Sequence, residues 1–168
     1  MYKRQEQQGT NSNIVLQILD QYGGFFAELG EYEMADVVYE KAYLVSTEAL
    51  GAQDPRTTLR LQTLANNDAE LQRYELAEQR LQDAQATLVT AFGAEALPTI
   101  NVLEDLAQLY QRQGKLRPAL EPLEQSYALR TKVQGPEETQ TLETKERLAE
   151  LYRQLGRLDE AEPMFLEV

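Results

Sequence analysis

Large apolar residues recur along this chain every three or four positions, in stripes separated by short polar breaks that carry glycine or proline. Leu103, Leu106, Ala107 and Tyr110 stand at i, i+3, i+4 and i+7, which makes one face of a helix. Gly114 ends that stripe, because glycine enters the left-handed conformation beyond a helix end without steric cost. A second stripe runs through Leu116, Ala119, Leu120, Leu123 and Tyr127 until Gly135-Pro136 stops it. Read this way throughout, the pattern predicts eight helices, at about 12–29, 32–50, 55–71, 74–92, 98–113, 116–134, 138–155 and 157–168. Strand-favouring residues never alternate over a useful length, so the predicted class is all-α.

The stripes repeat. Glycines at 51, 93 and 135 are spaced by 42, as are Gly30, Gly114 and Gly156, with Gln72 in the remaining slot. Alanines 35, 77, 119 and 161 keep the same period. Four residues after each comes a large apolar side chain: Tyr39, Leu81, Leu123 and Phe165. Tyr32, Tyr74, Leu116 and Leu158, and threonines 57, 99 and 141, follow it too. A fixed period of this length marks an array of supersecondary units. The units predicted are about 12–53, 54–95, 96–137 and a shortened 138–168, after a polar tail at 1–11.

Local chemistry fits two helices per unit. A small alanine lets two helix backbones approach while the large residue at i+4 fills the neighbouring space. Asp54-Pro55 should open the third helix, with a capping carboxylate and a proline where no N–H is needed. Pro122 and Pro163 fall in the second turn of their helices, where a local kink or a delayed helix start is expected.

Composition narrows the function. The net charge is −12, from 28 acids against 16 bases, and no run of bases could displace counterions from a nucleic acid or hold an anionic membrane. With no cysteine or histidine, zinc fingers, thiol nucleophiles and histidine bases are excluded, and the acids lack the spacing of a calcium loop. No stretch approaches the length of a membrane span, and residues 1–10 have no apolar core of a signal peptide, so a cytoplasmic location is expected.

The residues then resemble a known family. Leu148-Ala149-Glu150-Leu151-Tyr152-Arg153-Gln154-Leu155-Gly156-Arg157-Leu158-Asp159-Glu160-Ala161-Glu162-Pro163 is similar to the tetratricopeptide repeat, in its 42-residue form found in kinesin light chains. Leu106-Ala107-Gln108-Leu109-Tyr110 up to Gly114, and Asp54-Pro55-Arg56-Thr57, resemble it as well. The likeness runs from residue 13 to 168 and implies a right-handed superhelix of helical hairpins, an α-solenoid of three and a half to four repeats. The second unit departs most: Asp68 takes the slot of Phe26, Tyr110 and Tyr152, and Gln72 replaces the turn glycine, so this unit is expected to pack least well. Lys145 also stands where a large apolar residue is usual.

The resemblance implies a protein-interaction module with no catalytic role, cofactor or metal, binding a peptide or partner protein in a concave groove lined by each hairpin's first helix. Carried over position by position, the groove would present Asp20, Gly24 and Glu28, then Gln62, Asn66 and Glu70, then Glu104, Gln108 and Arg112, then Glu143, Glu146, Glu150 and Arg153. Two arginines against seven acids favour a basic or neutral partner. Gln17, Asp20, Leu59 and Gln62 supply none of the lysines with which chaperone-type members grip a terminal carboxylate. Glu104 and Glu146 on neighbouring first helices could form a catalytic pair, but solvated helix faces of an acidic protein are the better reading. The alternative function is a regulatory or sensor segment of a larger enzyme or signalling protein. Leu155, Leu158, Met164, Phe165 and Leu166 make an end-to-end homodimer a further expectation, against a fraying monomer.

Overall fold

A computed structural model describes the backbone of residues 2–166 and the side chains of residues 12–166. Among these there are eight helices and no strand: α1 (Tyr2–Glu28), α2 (Tyr32–Leu50), α3 (Pro55–Glu70), α4 (Tyr74–Phe92), α5 (Leu97–Arg112), α6 (Leu116–Val133), α7 (Thr139–Gln154) and α8 (Leu158–Leu166). The bounds match the expected ones closely except at the N-terminus, where α1 starts at Tyr2 rather than near residue 12. The side chains of the expected polar tail, 1–11, lie outside the described residues, as do Glu167 and Val168 of the last predicted helix.

The chain divides into two compact units, Met1–Thr87 and Leu88–Val168. In the first, α1 packs on α2 and α2 on α3; in the second, α5 packs on α6, α6 on α7 and α7 on α8. The period of 42 is written into the backbone. Gly51, Gly93 and Gly135 have φ of 93°, 90° and 100°, and the second slot holds Gly30, Gly114 and Gly156 at 75°, 70° and 74°. Gln72 adopts the same turn at φ 59°, at a cost on the order of 1 kcal/mol for a residue with a Cβ. Asp54 caps α3 by accepting the Arg56 N–H at 2.9 Å, with Pro55 first in the helix. Neither internal proline delays its helix: α6 starts at Leu116 and α8 at Leu158, each several residues before its proline.

The four periodic alanines are buried, at 2% exposure or less. Ala119 sits in the core of the second unit with Ala107, Leu123, Leu148 and Leu151. Ala119→Leu should therefore overpack this core and lower stability by about 1–3 kcal/mol in urea unfolding. A variant with the parent's midpoint would place Ala119 outside the core.

The second hairpin, expected to pack least well, has a buried core of its own. Leu64, Ala65, Ala77 and Leu81 are buried, and so is Asp68, where an aromatic ring stands in the other hairpins. The Asp68 carboxylate is held by two arginines: Arg80 donates Nη1 to Oδ2, and Arg73 Nη1 approaches Oδ1 at 3.4 Å. Arg73 also binds Asp36 at 2.7 Å, tying α2 to the turn after α3. Burial pushes the Asp68 carboxyl up from its usual range, and Arg80 only partly relieves this. The exposed apolar surface instead concentrates in the first hairpin, above all on α1.

Candidate functional site

In the first unit, α1 and α3 flank two neighbouring cavities that share Tyr39 and Thr63. One, of about 410 Å³, is lined by Asp20, Tyr39, Arg56, Leu59, Arg60 and Thr63. The other, of about 390 Å³, is lined by Ala27, Glu28, Tyr32, Tyr39, Thr63, Asn66, Asn67 and Glu70. Tyr39 can reach both because Gly23 of α1 has no side chain; a Cβ there would run into the Tyr39 ring.

The first cavity holds an internal ion pair, with Arg56 beside it bound to Asp54. Arg60 grips Asp20 with two bonds, Nε to Oδ1 at 3.1 Å and Nη2 to Oδ2 at 2.6 Å. Such forked pairing joins α1 to α3 and leaves Asp20 with little unneutralised charge. The second cavity is acidic and partly aromatic, with Glu28 and Glu70 among its lining residues beside Tyr32 and Tyr39. Burial, with Asp20 and Glu28 nearby, raises the Tyr39 hydroxyl above its ordinary pKa. Asn67 is 4% exposed; its Nδ2 donates to the Tyr32 carbonyl at 3.0 Å, while its Oδ1 has no hydrogen-bond partner within the protein.

The structure brings Asp20 and Asn66 into this pair of cavities, and Gln62 stands half-buried on the same helix as Asn66. In the second unit, Gln108 and Arg112 are exposed on α5, and Glu143, Glu146 and Arg153 on α7. Glu150 and Arg153 satisfy each other through bonds of 2.7 and 2.6 Å. With Gln154 donating as well, the Glu150 carboxyl is held down at about 2.

Glu104 is used differently from its expected role. It accepts bonds from Ser126 Oγ at 2.6 Å, Arg130 Nε at 2.5 Å and Thr144 Oγ1 at 2.8 Å. Arg130 is itself 4% exposed and also donates to Asn101, Gln134 and Gln140. Burial opposes the Glu104 charge, but Arg130, Ser126 and Thr144 more than offset it and hold the carboxyl below its usual value. This network joins α5, α6 and α7 internally, which leaves Glu104 poorly placed for acid–base work with Glu146. Sequence reasoning missed Arg130 and took Tyr39 only as a packing residue, whereas Glu28 and Glu70, both named for the groove, line the second cavity.

Comparison with known proteins agrees with this architecture. Family models described as tetratricopeptide repeat match residues 57–132 and 141–168. The chain belongs to the tetratricopeptide repeat family. No curated sequence matches it significantly. Among solved structures it is similar to BtubC from P. vanneervenii, at 20% identity over 91% of this chain, with a TM-score of 0.81. The chain spans 61% of BtubC's length. It is also similar to the nearly identical TPR-like repeats of a kinesin light chain-like protein from Podosopora anserina, at 20% identity, covering 95% of this chain and 74% of that one, with a TM-score of 0.79. A double mutant of MamA RS-1 shares 19% identity over 90% of this chain and 71% of its own, with a TM-score of 0.60. At these identities the likeness speaks for the fold. Tetratricopeptide repeats generally serve as scaffolds for protein–protein interaction and are typically non-catalytic. Among the described residues, no helix is long and apolar enough to cross a membrane.

Proposed function

We propose that this tetratricopeptide chain binds a partner protein through an extended segment, and that the first unit takes a lysine or arginine side chain of that segment between α1 and α3. The observation that carries the reading is the cavity of about 390 Å³ with two carboxylates and two tyrosines among its lining residues. A cation near tyrosine faces gains about 0.5–1 kcal/mol at exposed sites, and carboxylates add charge-assisted hydrogen bonds. Asn66, also in the lining, supplies an amide group that suits a peptide backbone. Basic or neutral segments then suit a chain of net charge −12. In the second unit the proposed contacts are Gln108, Arg112, Glu143 and Glu146, with Glu150 and Arg153 presenting a paired charge of no net sign. The domain reading that goes with this is an array of four units, the last shortened, acting as the interaction part of a scaffold.

The test uses peptides selected from a random library on the parent protein. A Glu28→Gln, Asn66→Ala, Glu70→Gln variant should keep the parent's thermal unfolding and bind lysine-containing peptides about tenfold or more weakly, since each tenfold is 1.4 kcal/mol. Parent binding should weaken as salt screens the carboxylates. Unchanged affinity in the variant would move the binding surface off α1 and α3.

A further inference from the structure

α1 carries an apolar face that the first unit leaves open. Val15, Ile18, Tyr22, Phe25 and Leu29 are between 44% and 60% exposed, and Ile14 beside them is 51% exposed. Their spacing of three, four, three and four is that of a helix-pairing seam. Contiguous apolar surface of this kind marks an interaction site.

The chain's own repeat shows what such a face receives. Moved on by one, two or three periods of 42, Tyr22 becomes Leu64, Leu106 and Leu148, and Phe25 becomes Asn67, Leu109 and Leu151. All six are buried. Where the packing lies within one unit, α2 covers α3 and α6 covers α7, so a hairpin's first helix is covered by the helix before it. The open face of α1 has the register of a surface that accepts one more helix.

Three features select a second copy of this chain as the source of that helix. The seam is close to symmetric about Tyr22, with Val15 and Leu29 seven residues to either side, Ile18 four before it and Phe25 three after it. An antiparallel two-fold pair sets Tyr22 against Tyr22 of the second copy, Ile18 against Phe25 and Val15 against Leu29, so every apolar residue meets another. The charge is also arranged for it. The open edge of the seam is Ile14, Gln21 and Glu28, and antiparallel pairing places Glu28 opposite Ile14 rather than opposite a second acid. In a chain with 28 acids, this face is nearly free of them. Finally, the exposed parts of these side chains amount to roughly 500–600 Å² per copy, so a pair would bury on the order of 1,000 Å², at the low end for a specific interface.

We infer that the chain forms a closed two-fold dimer by antiparallel pairing of α1, through a face that meets the cavities between α1 and α3 at Glu28. Sedimentation equilibrium over a concentration series should show mass rising from monomer to dimer and stopping there. Phe25→Glu should shift the dimerisation midpoint by at least about 100-fold, as a charge buried at an interface centre does. Phe165→Glu should leave it unchanged. Because the chain has no cysteine, disulfide trapping gives the orientation directly. Tyr22→Cys should crosslink to itself under mild oxidation. Leu29→Cys should not, yet should crosslink when mixed with Val15→Cys. All these positions are exposed, and melting of each variant checks that the fold is kept. A monomer at every concentration, mass growing past the dimer, loss of association in Phe165→Glu, or self-crosslinking of Leu29→Cys as fast as Tyr22→Cys would each overturn the assignment.

Discussion

Glu104→Ala is expected to destabilise the second unit by about 3–5 kcal/mol, because it leaves a buried guanidinium without its counter-charge. Arg130 is 4% exposed, and its remaining acceptors, Asn101, Gln134 and Gln140, are neutral amides. Ser126 loses its acceptor in the same step, while Thr144 keeps the Gln140 carbonyl at 2.8 Å. Urea unfolding measures the loss. Pairing the change with Arg130→Leu, the residue found one repeat earlier at Leu88, should recover much of it, since the unpaired charge is then gone. A single variant within 1 kcal/mol of the parent would mean that the network adds nothing. The pH dependence has a definite sign. Glu104 titrates below its ordinary value of 4.5 in the folded state, so its contribution is present above that value and drains away as pH falls through the depressed one. Glu104→Gln should remove this part of the acid limb.

Asp68→Ala should cost the first unit about 2–4 kcal/mol, somewhat less because its partners are wetter. The side chain of Asp68 is fully buried, whereas those of Arg80 and Arg73 are 19% and 45% exposed. Asp68→Asn, which keeps the volume and an acceptor, should cost less. Asp68→Tyr with Arg80→Val restores the residue types found at Tyr110 and Val38 and should approach parental stability. If Asp68→Ala unfolds at the parental midpoint, the pair is a surface ornament of the turn rather than a part of the core. Its linkage runs opposite to that of Glu104. Burial raises the Asp68 carboxyl, so this group favours the fold most at low pH and gives up that contribution as pH rises through the raised value.

These two networks mark the boundary of what could be read from sequence. The helices were legible because each hairpin repeats one set of small, large and left-handed positions every 42 residues, and the backbone keeps them even where Gln72 stands for glycine. The exceptions to the repeat were read singly, as weak spots. They are in fact coupled. Asp68 replaces a ring while Arg80 replaces the apolar side chain seen at Val38 and Met164. Ser126, Arg130 and Thr144 stand where Ala84, Leu88 and Val102 are found one repeat earlier. Polar residues that enter buried slots of adjoining helices together need each other, and that signal lay in the sequence. What did not lie there was their meeting: Glu104 finds Ser126, Arg130 and Thr144 at separations of 22, 26 and 40 residues. The groove positions were assigned to each hairpin's first helix, but periodicity cannot say which polar residues turn inward. Asp20 is taken by Arg60 and Glu104 by Arg130, and both Asp20 and Asn66 line cavities.

The most direct test of the central claim is to place a photo-crosslinker beside the lysine of a selected peptide and map the adducts by mass spectrometry. If the first unit receives a basic side chain between α1 and α3, adducts should fall on residues around Glu28, Tyr39, Thr63, Asn66 and Glu70, and should vanish when the peptide lysine is replaced by glutamate. Adducts confined to Met34, Val37 and Leu44 on the exposed side of α2, with no dependence on the lysine, would contradict it.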